Sequence, residues 1–136
     1  MNEMKRLVFA LLMMVCSVCW AEWEVTAKAS GITFYHDKSS IRERGATTTM
    51  WIMIDHPTTQ FLESVGSYRS EVALRGFNCN SEMYTVINIV LYPESSGRGR
   101  VVFSVNHDEE KWNRLWAPIV PRSTSEAEWR IACRKK

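Results

Sequence analysis

Two cysteines limit the folds open to this chain more than any other feature: Cys79 and Cys133. The 136 residues hold four cysteines in all, but Cys16 and Cys19 fall in an N-terminal stretch that reads as a secretory signal. Lys5 and Arg6 make its start positive, Leu7 to Val18 is apolar and uncharged, and Cys19-Trp20-Ala21 offers small residues at a cleavage point. Cleavage is expected after Ala21, giving a signal peptide over 1–21 and one domain over 22–136. The apolar run is shorter than the roughly 20 residues a spanning helix needs. Cys16 and Cys19 each follow a valine, where a lipobox has Gly, Ala or Ser, so neither is expected to carry a lipid. Two remaining cysteines allow one intramolecular pairing, and export leads to an oxidising compartment. A Cys79–Cys133 disulfide is therefore expected; two separate buried thiols are the alternative.

The second cysteine closes a helical pattern. Pro121 to Cys133 reads as one short helix, with Ser123 and Glu126 spaced as a capping box and Ser125 and Glu128 repeating the pattern two residues on. Its start is acidic and Arg134-Lys135-Lys136 makes its end basic, which suits the helix dipole. About three turns are marginal alone in water, so the helix needs an anchor. Trp129 and Cys133, four apart, share a face. The disulfide is expected to staple that face onto a sheet.

Six strands are expected to build the sheet. Glu22 to Lys28 alternates, with Trp23, Val25 and Ala27 on one face; Ser30-Gly31 turns the chain into a second strand, Ile32 to Asp37. After a polar connection anchored by Ile41, a third strand over Ala46 to Asp55 carries Met50, Ile52 and Ile54 on one face and Trp51 and Met53 on the other, as in a strand covered on both sides. Pro57 is expected to end it, with a loop or helical turn around Phe61 and Leu62. Tyr68 to Phe77 is the fourth strand, Tyr68, Val72 and Leu74 inward and Arg69, Glu71 and Arg75 outward. Glu82 to Tyr92 is the fifth, with Ile87, Ile89 and Leu91 on its core face, and Arg100 to Asn106 the sixth, with Val101, Phe103 and Val105 alternating. A polar turn over Asn106 to Lys111 precedes an irregular stretch from Trp112 to Pro121. Parity sets Cys79 with Arg75 and Phe77, opposite Val72 and Leu74; a bulge at Gly76, or a place beyond the strand, would bring it to the helix. The fold class is α+β: a six-stranded antiparallel sheet with a short C-terminal helix tethered to it.

Three blocks carry a family resemblance. They are Phe34 to Ile41 with Gly45 and the Trp51 strand; Tyr84 to Tyr92 with Gly97 to Ser104; and Pro118 to Cys133 with Pro121, Ser123 and Trp129. In this order and spacing the chain resembles the surface-adhesin protein E family of Gram-negative bacteria, over nearly all of its mature length. The resemblance implies the same sheet and disulfide-tethered helix. It also implies a host-binding role, since some members attach to extracellular-matrix proteins or bind haem.

The chemistry visible in the residues points away from catalysis. His36, His56 and His107 are scattered without metal-ligand spacing. Gly97 and Gly99 precede a strand rather than a helix and make no phosphate cradle. Asp108-Glu109-Glu110 reads as a solvated turn. No nucleophile motif is present, so no enzyme, no metal and no cofactor are expected. Without Glu3, Lys5 and Arg6, the 17 basic and 15 acidic residues become 15 and 14, a balance unlike that of nucleic-acid binders. A protein partner is expected instead, at a surface drawn from Arg98, Arg100, Trp112, Arg114 and Trp116, because Trp and Arg dominate interface hot spots. The partner would be a matrix or envelope protein, or a second copy of the chain. Two rivals remain: a periplasmic structural protein, and a haem or small-ligand carrier in which His36, His56 or Tyr35 converge. Either way the protein is expected to be exported, to the periplasm or the outer surface.

Overall fold

A computed structural model describes residues 21–135. All but the last residue of the expected signal peptide lies outside the described residues. The strands are β1 (Trp23–Ala29), β2 (Ile32–Asp37), β3 (Arg42–Arg44), β4 (Thr47–Leu62), β5 (Gly66–Asn78), β6 (Met83–Tyr92), β7 (Phe103–Asn106) and β8 (Ala117–Pro118). Helices α1 (Glu109–Asn113) and α2 (Thr124–Ala132) and two 3-10 turns, Lys38–Ser40 and Ser95–Gly97, complete the fold. The path β1-β2-β4-β5-β6-β7 is the expected six-stranded antiparallel sheet. Two short strands add to it: β3 pairs with β4, and β8 with β6.

The core lies between α2 and one face of the central strands. Met50, Ile52, Ala73 and Phe77 are buried there with Trp129 and Ala132. Cross-strand register explains the grouping: Ile52 faces Ala73, Met50 faces Arg75 and Thr48 faces Phe77, so alternate residues of both strands point to the helix. The opposite face carries Trp51 against Leu74 and Met53 against Val72. Met53 is buried, because the Ser95–Gly97 turn lies over it and a Cβ on Gly97 would meet Val72 Cγ2 at 3.1 Å. Strand β4 is thus covered on both sides where its apolar residues alternate, as expected.

Cys79 and Cys133 are joined, with Cα atoms 5.5 Å apart. The helix side of β5 is the side of Ala73, Arg75 and Phe77, so Cys79 reaches the helix with no change of parity. The expectation that Val72 and Leu74 point to the core while Glu71 and Arg75 point to water is reversed. Charge misled the reading: Arg75 faces inward because a carboxylate on α2 awaits it. Gly76 marks no bulge. It sits where β6 comes close, and a Cβ there would lie 3.0 Å from Thr85 Cγ2. The irregularity is on β6, where Leu74 pairs with Asn88 but Arg75 pairs with Val86, leaving Ile87 extra. Ile87 therefore parts from Ile89 and Leu91 and meets the Gly76 side instead.

Four further expectations are corrected. Pro57 does not end β4; the strand runs on to Leu62 because a wide bulge between Asp55 and Gln60 takes the proline out of the ladder. Arg69 bridges the gap, donating to the carbonyls of His56 and Pro57 at 3.4 and 3.2 Å. Phe61 and Leu62 are then strand residues, exposed on the far hairpin, rather than part of a loop or helical turn. In β1 a bulge at Thr26 separates Val25 from Ala27, and Val25 is 53% exposed instead of sharing a buried face. The stretch read as a polar turn and irregular segment holds α1, capped by Asp108, whose side chain accepts from Lys111 N at 2.8 Å. Val101 and Phe103 are also more exposed than their alternation suggested, because β7 is an edge strand of four residues.

Candidate functional site

Five residues were expected to form a binding surface, and the fold brings three of them together. Helix α1 and the segment just after it place Trp112 and Trp116 edge to face, ring centres 6.1 Å apart. The backbone beneath them is pinned: buried Thr85 on β6 donates to the Trp112 carbonyl at 2.7 Å. Arg114 projects from the same turn, 74% exposed in its side chain and paired with Glu110 one turn earlier. Leu115 beside it is exposed and, with Asp108, Glu110, Lys111 and Arg114, lines a shallow hollow of about 440 Å³. Both indoles are half-buried, so each has a packed edge and a presented edge.

Arg98 and Arg100 belong to a different element. They lie exposed in the connection that follows the Ser95–Gly97 turn, which packs over β4 and β5 whereas α1 packs on β6. That turn is firmly held. Buried Ser70 donates to the Glu94 carbonyl at 2.6 Å and accepts from Gly97 N at 2.9 Å, and Asp55 accepts from Ser96 N at 2.7 Å and from its hydroxyl at 3.2 Å. The two arginines therefore ride on a rigid loop.

A polar constellation that sequence reasoning missed lies under α2. Glu128 is fully buried. Arg75 Nη1 donates to its Oε2 at 2.5 Å, and the Arg75 guanidinium stands 5.5 Å from the centre of the Tyr84 ring. Glu128 Oε1 has no partner among the described residues. Burial pushes the Glu128 carboxyl above the usual carboxylate range, and the Arg75 charge pulls the other way. Glu71, farther along β5, is likewise pushed up by burial against the pull of Arg75 and His56. A second helix bond joins Trp129 Nε1 to the Asn78 carbonyl at 3.0 Å. The spacing of Ser125 and Glu128 was the only signal, and it read as a cap. The true cap is Ser123, which accepts from Glu126 N at 3.2 Å, while Glu126 accepts from Arg122 N at 2.5 Å rather than from the cap itself.

The residues named for a haem or small-ligand pocket do not converge. His36 is buried on the α2 side, its Nδ1 2.7 Å from Thr26 Oγ1. Burial pushes its imidazole below the ordinary histidine value, against the pull of Glu24. Tyr35 is its neighbour on β2 and points to the other face. His56 packs edge to face with Tyr68, ring centres 5.7 Å apart, and lies four residues along β4 from Ile52, the partner of His36. At strand rise that is roughly 13 Å. Among the described residues no group of three or more His, Cys, Asp or Glu could hold a metal ion, and no helix is long and apolar enough to cross a membrane.

Comparison with known proteins bears on the arrangement as a whole. No curated protein sequence matches the chain. Among solved structures it is similar to protein E of Haemophilus influenzae in crystal form II, at 16% identity and a TM-score of 0.55, over 80% of this chain and 91% of that one. It is also similar to its selenomethionine form, at 18% identity and 0.56, over 80% and 90%. Protein E from non-typeable Haemophilus influenzae is matched at 15% identity and 0.59, over 87% of this chain and 79% of that one. At such identities the likeness is one of fold. Residues 20–134, however, match the family described as surface-adhesin protein E, from before the first strand to beyond the second cysteine. The chain belongs to the surface-adhesin protein E family.

Proposed function

We propose that the protein is an exported, non-catalytic binding protein that works in the periplasm or at the outer surface. It presents a rigid sheet to a protein partner, such as a host matrix glycoprotein, and takes hold of it through the α1 patch. The observation that carries this reading is the Trp112–Trp116 pair with Arg114 and Leu115 exposed beside it, in a member of a surface-adhesin family. Aromatic edges next to a guanidinium give much contact area for little entropy, and such residues dominate binding energy. Thr85 fixes the patch from below, so little ordering is left to do on binding. Arg98 and Arg100 add cations on a separate held loop. A second copy pairing along the open β1 edge is compatible with the same role.

The test is surface plasmon resonance of the purified oxidised protein on a panel of matrix glycoproteins. Binding to at least one is expected, weakened roughly 30-fold by Arg114→Ala with Leu115→Ser if these are hot-spot residues. Absence of binding across the panel sinks the matrix-partner reading. Protease shaving of intact cells then separates outer-surface from periplasmic protein.

A further inference from the structure

The chain's basic C-terminus looks in sequence like an ordinary solvated tail, but the fold gives it a counterpart from far along the chain. The Lys38–Ser40 turn and Ile41 lie against the end of α2. Between them is an open cleft of about 460 Å³, lined by Lys38, Ile41, Arg130, Ile131, Arg134 and Lys135. Four of the six are cations and two are isoleucines, and among the described residues no carboxylate lines the cleft. Lys38 is shared with Glu24 at 2.8 Å and Arg130 with Glu126 at 3.0 Å. Arg134 and Lys135 are exposed, and no side-chain bond or ion pair among the described residues occupies them.

Their placement is built rather than loose. Lys135 N donates to the Arg130 carbonyl at 2.8 Å and Arg134 N to the Ile131 carbonyl at 3.2 Å. That pair of bonds is the Schellman close of a helix, whose left-handed position usually holds glycine. Here it holds Arg134, at φ 51°. An L residue there is strained, and the disulfide at Cys133 holds the segment on the sheet. The helix dipole accounts for a cation in the last turn. It does not account for Lys38 and Ile41 arriving from another element, nor for an arginine where glycine would serve the backbone better.

We propose that this cleft docks the protein on an anionic lipid surface, taking a phosphate headgroup between its cations. Guanidinium groups hold phosphate through paired N–H donors. Ile41 and Ile131 give the cleft an apolar floor for the methylene and glyceryl carbons beside the phosphate, a feature that a purely ionic polymer would not use.

The experiment is co-sedimentation of the purified oxidised protein with phosphatidylcholine vesicles, with and without phosphatidylglycerol, at physiological ionic strength. Binding to the anionic vesicles alone is expected. Arg134→Gly with Lys135→Gln removes two cations while relieving the backbone, so the variant folds at least as well, which thermal unfolding checks. Its partitioning should fall roughly 30-fold, on the usual contribution of a basic residue at an anionic surface. The charge-matched variant Lys28→Gln with Arg44→Gln should keep most of its binding. Equal partitioning to both vesicle types overturns the proposal, and so does an equal loss in the two variants. Retention on sulfated-glycan beads without vesicle binding would assign the cleft to a glycan instead. None of these outcomes depends on the glycoprotein panel, which reads a different surface.

Discussion

Replacing both Cys79 and Cys133 by serine tests the part of the fold on which α2 depends. The bond spans 54 residues. In the chain-entropy treatment, closing a loop of that length constrains the unfolded chain by about 4 kcal/mol. A domain of this size has only about 5–15 kcal/mol of net stability. The helix will not dissolve outright, because the Trp129–Asn78 bond, the Arg75–Glu128 pair and the burial of Trp129 and Ala132 remain. The variant should therefore fold, with its melting temperature lowered by about 15 °C at roughly 4 °C per kcal/mol. Much of the effect lies in the unfolded state, so the urea m-value should rise as the freed chain expands. Circular dichroism and tryptophan fluorescence, followed together through thermal and urea unfolding, read both quantities. A fall of less than about 5 °C with an unchanged m-value would refute the reasoning and show that packing alone secures the helix.

Three further outcomes follow from the site geometry. Arg75→Met leaves a fully buried carboxylate without its cation and should cost about 3–5 kcal/mol near neutral pH; adding Glu128→Leu should recover most of it, as chemical denaturation of the single and double variants will show. The pH profile separates the buried acids from His36. Glu128 and Glu71 have folded pKa values raised above their unfolded ones, so their contribution is complete below the ordinary carboxylate pKa of about 4 and is lost as pH rises through the raised values. His36 is lowered instead, so its contribution is present above the ordinary imidazole pKa of about 6.5 and is lost as pH falls through its folded value; as pH falls, the urea midpoint of the wild type should lose more, or gain less, than that of His36→Gln. Ser70→Ala removes a buried hydroxyl bonded to both Glu94 and Gly97 and should cost about 1–3 kcal/mol, with faster amide exchange in the 93–100 loop as its signature.

Much of this architecture is readable from local pattern, and the failures have a common cause. Alternation in β4 and the Ser123 cap of α2 are short-range signals, and both hold in the structure. So does the pairing of two cysteines, which needs counting rather than geometry. Face assignment in β5 fails because Arg75 looks solvated until Glu128, 53 residues on, is seen to meet it. Pro57 fails because a breaker within a strand can be absorbed by a bulge, and the side chain that repairs the gap, Arg69, comes from the partner strand. In the expected binding surface, Trp112 and Trp116 are near in sequence and meet in space, whereas Arg98 and Arg100 reach the same list by composition and lie on another element. The Lys38–Arg134 cleft could not be read at all, since its two halves lie almost a hundred residues apart.

The named tethers of α2 are concentrated on the end of β5 and the residue just after it. The ion pair lands on Arg75, the apolar packing on Phe77, the indole bond on Asn78 and the disulfide on Cys79. Arg75, Phe77 and Asn78 are paired on both sides, near the middle of the strand order. The edge strand β7 is separated from β5 by β6, whereas the other edge strand, β1, packs directly against α2. A partner can pair along β7, and the α1 patch can be remodelled, while α2 and the cations at its end keep their place. A binding protein that meets different partners benefits from this separation, because its contact surfaces can change without loosening the clamp that holds the domain together.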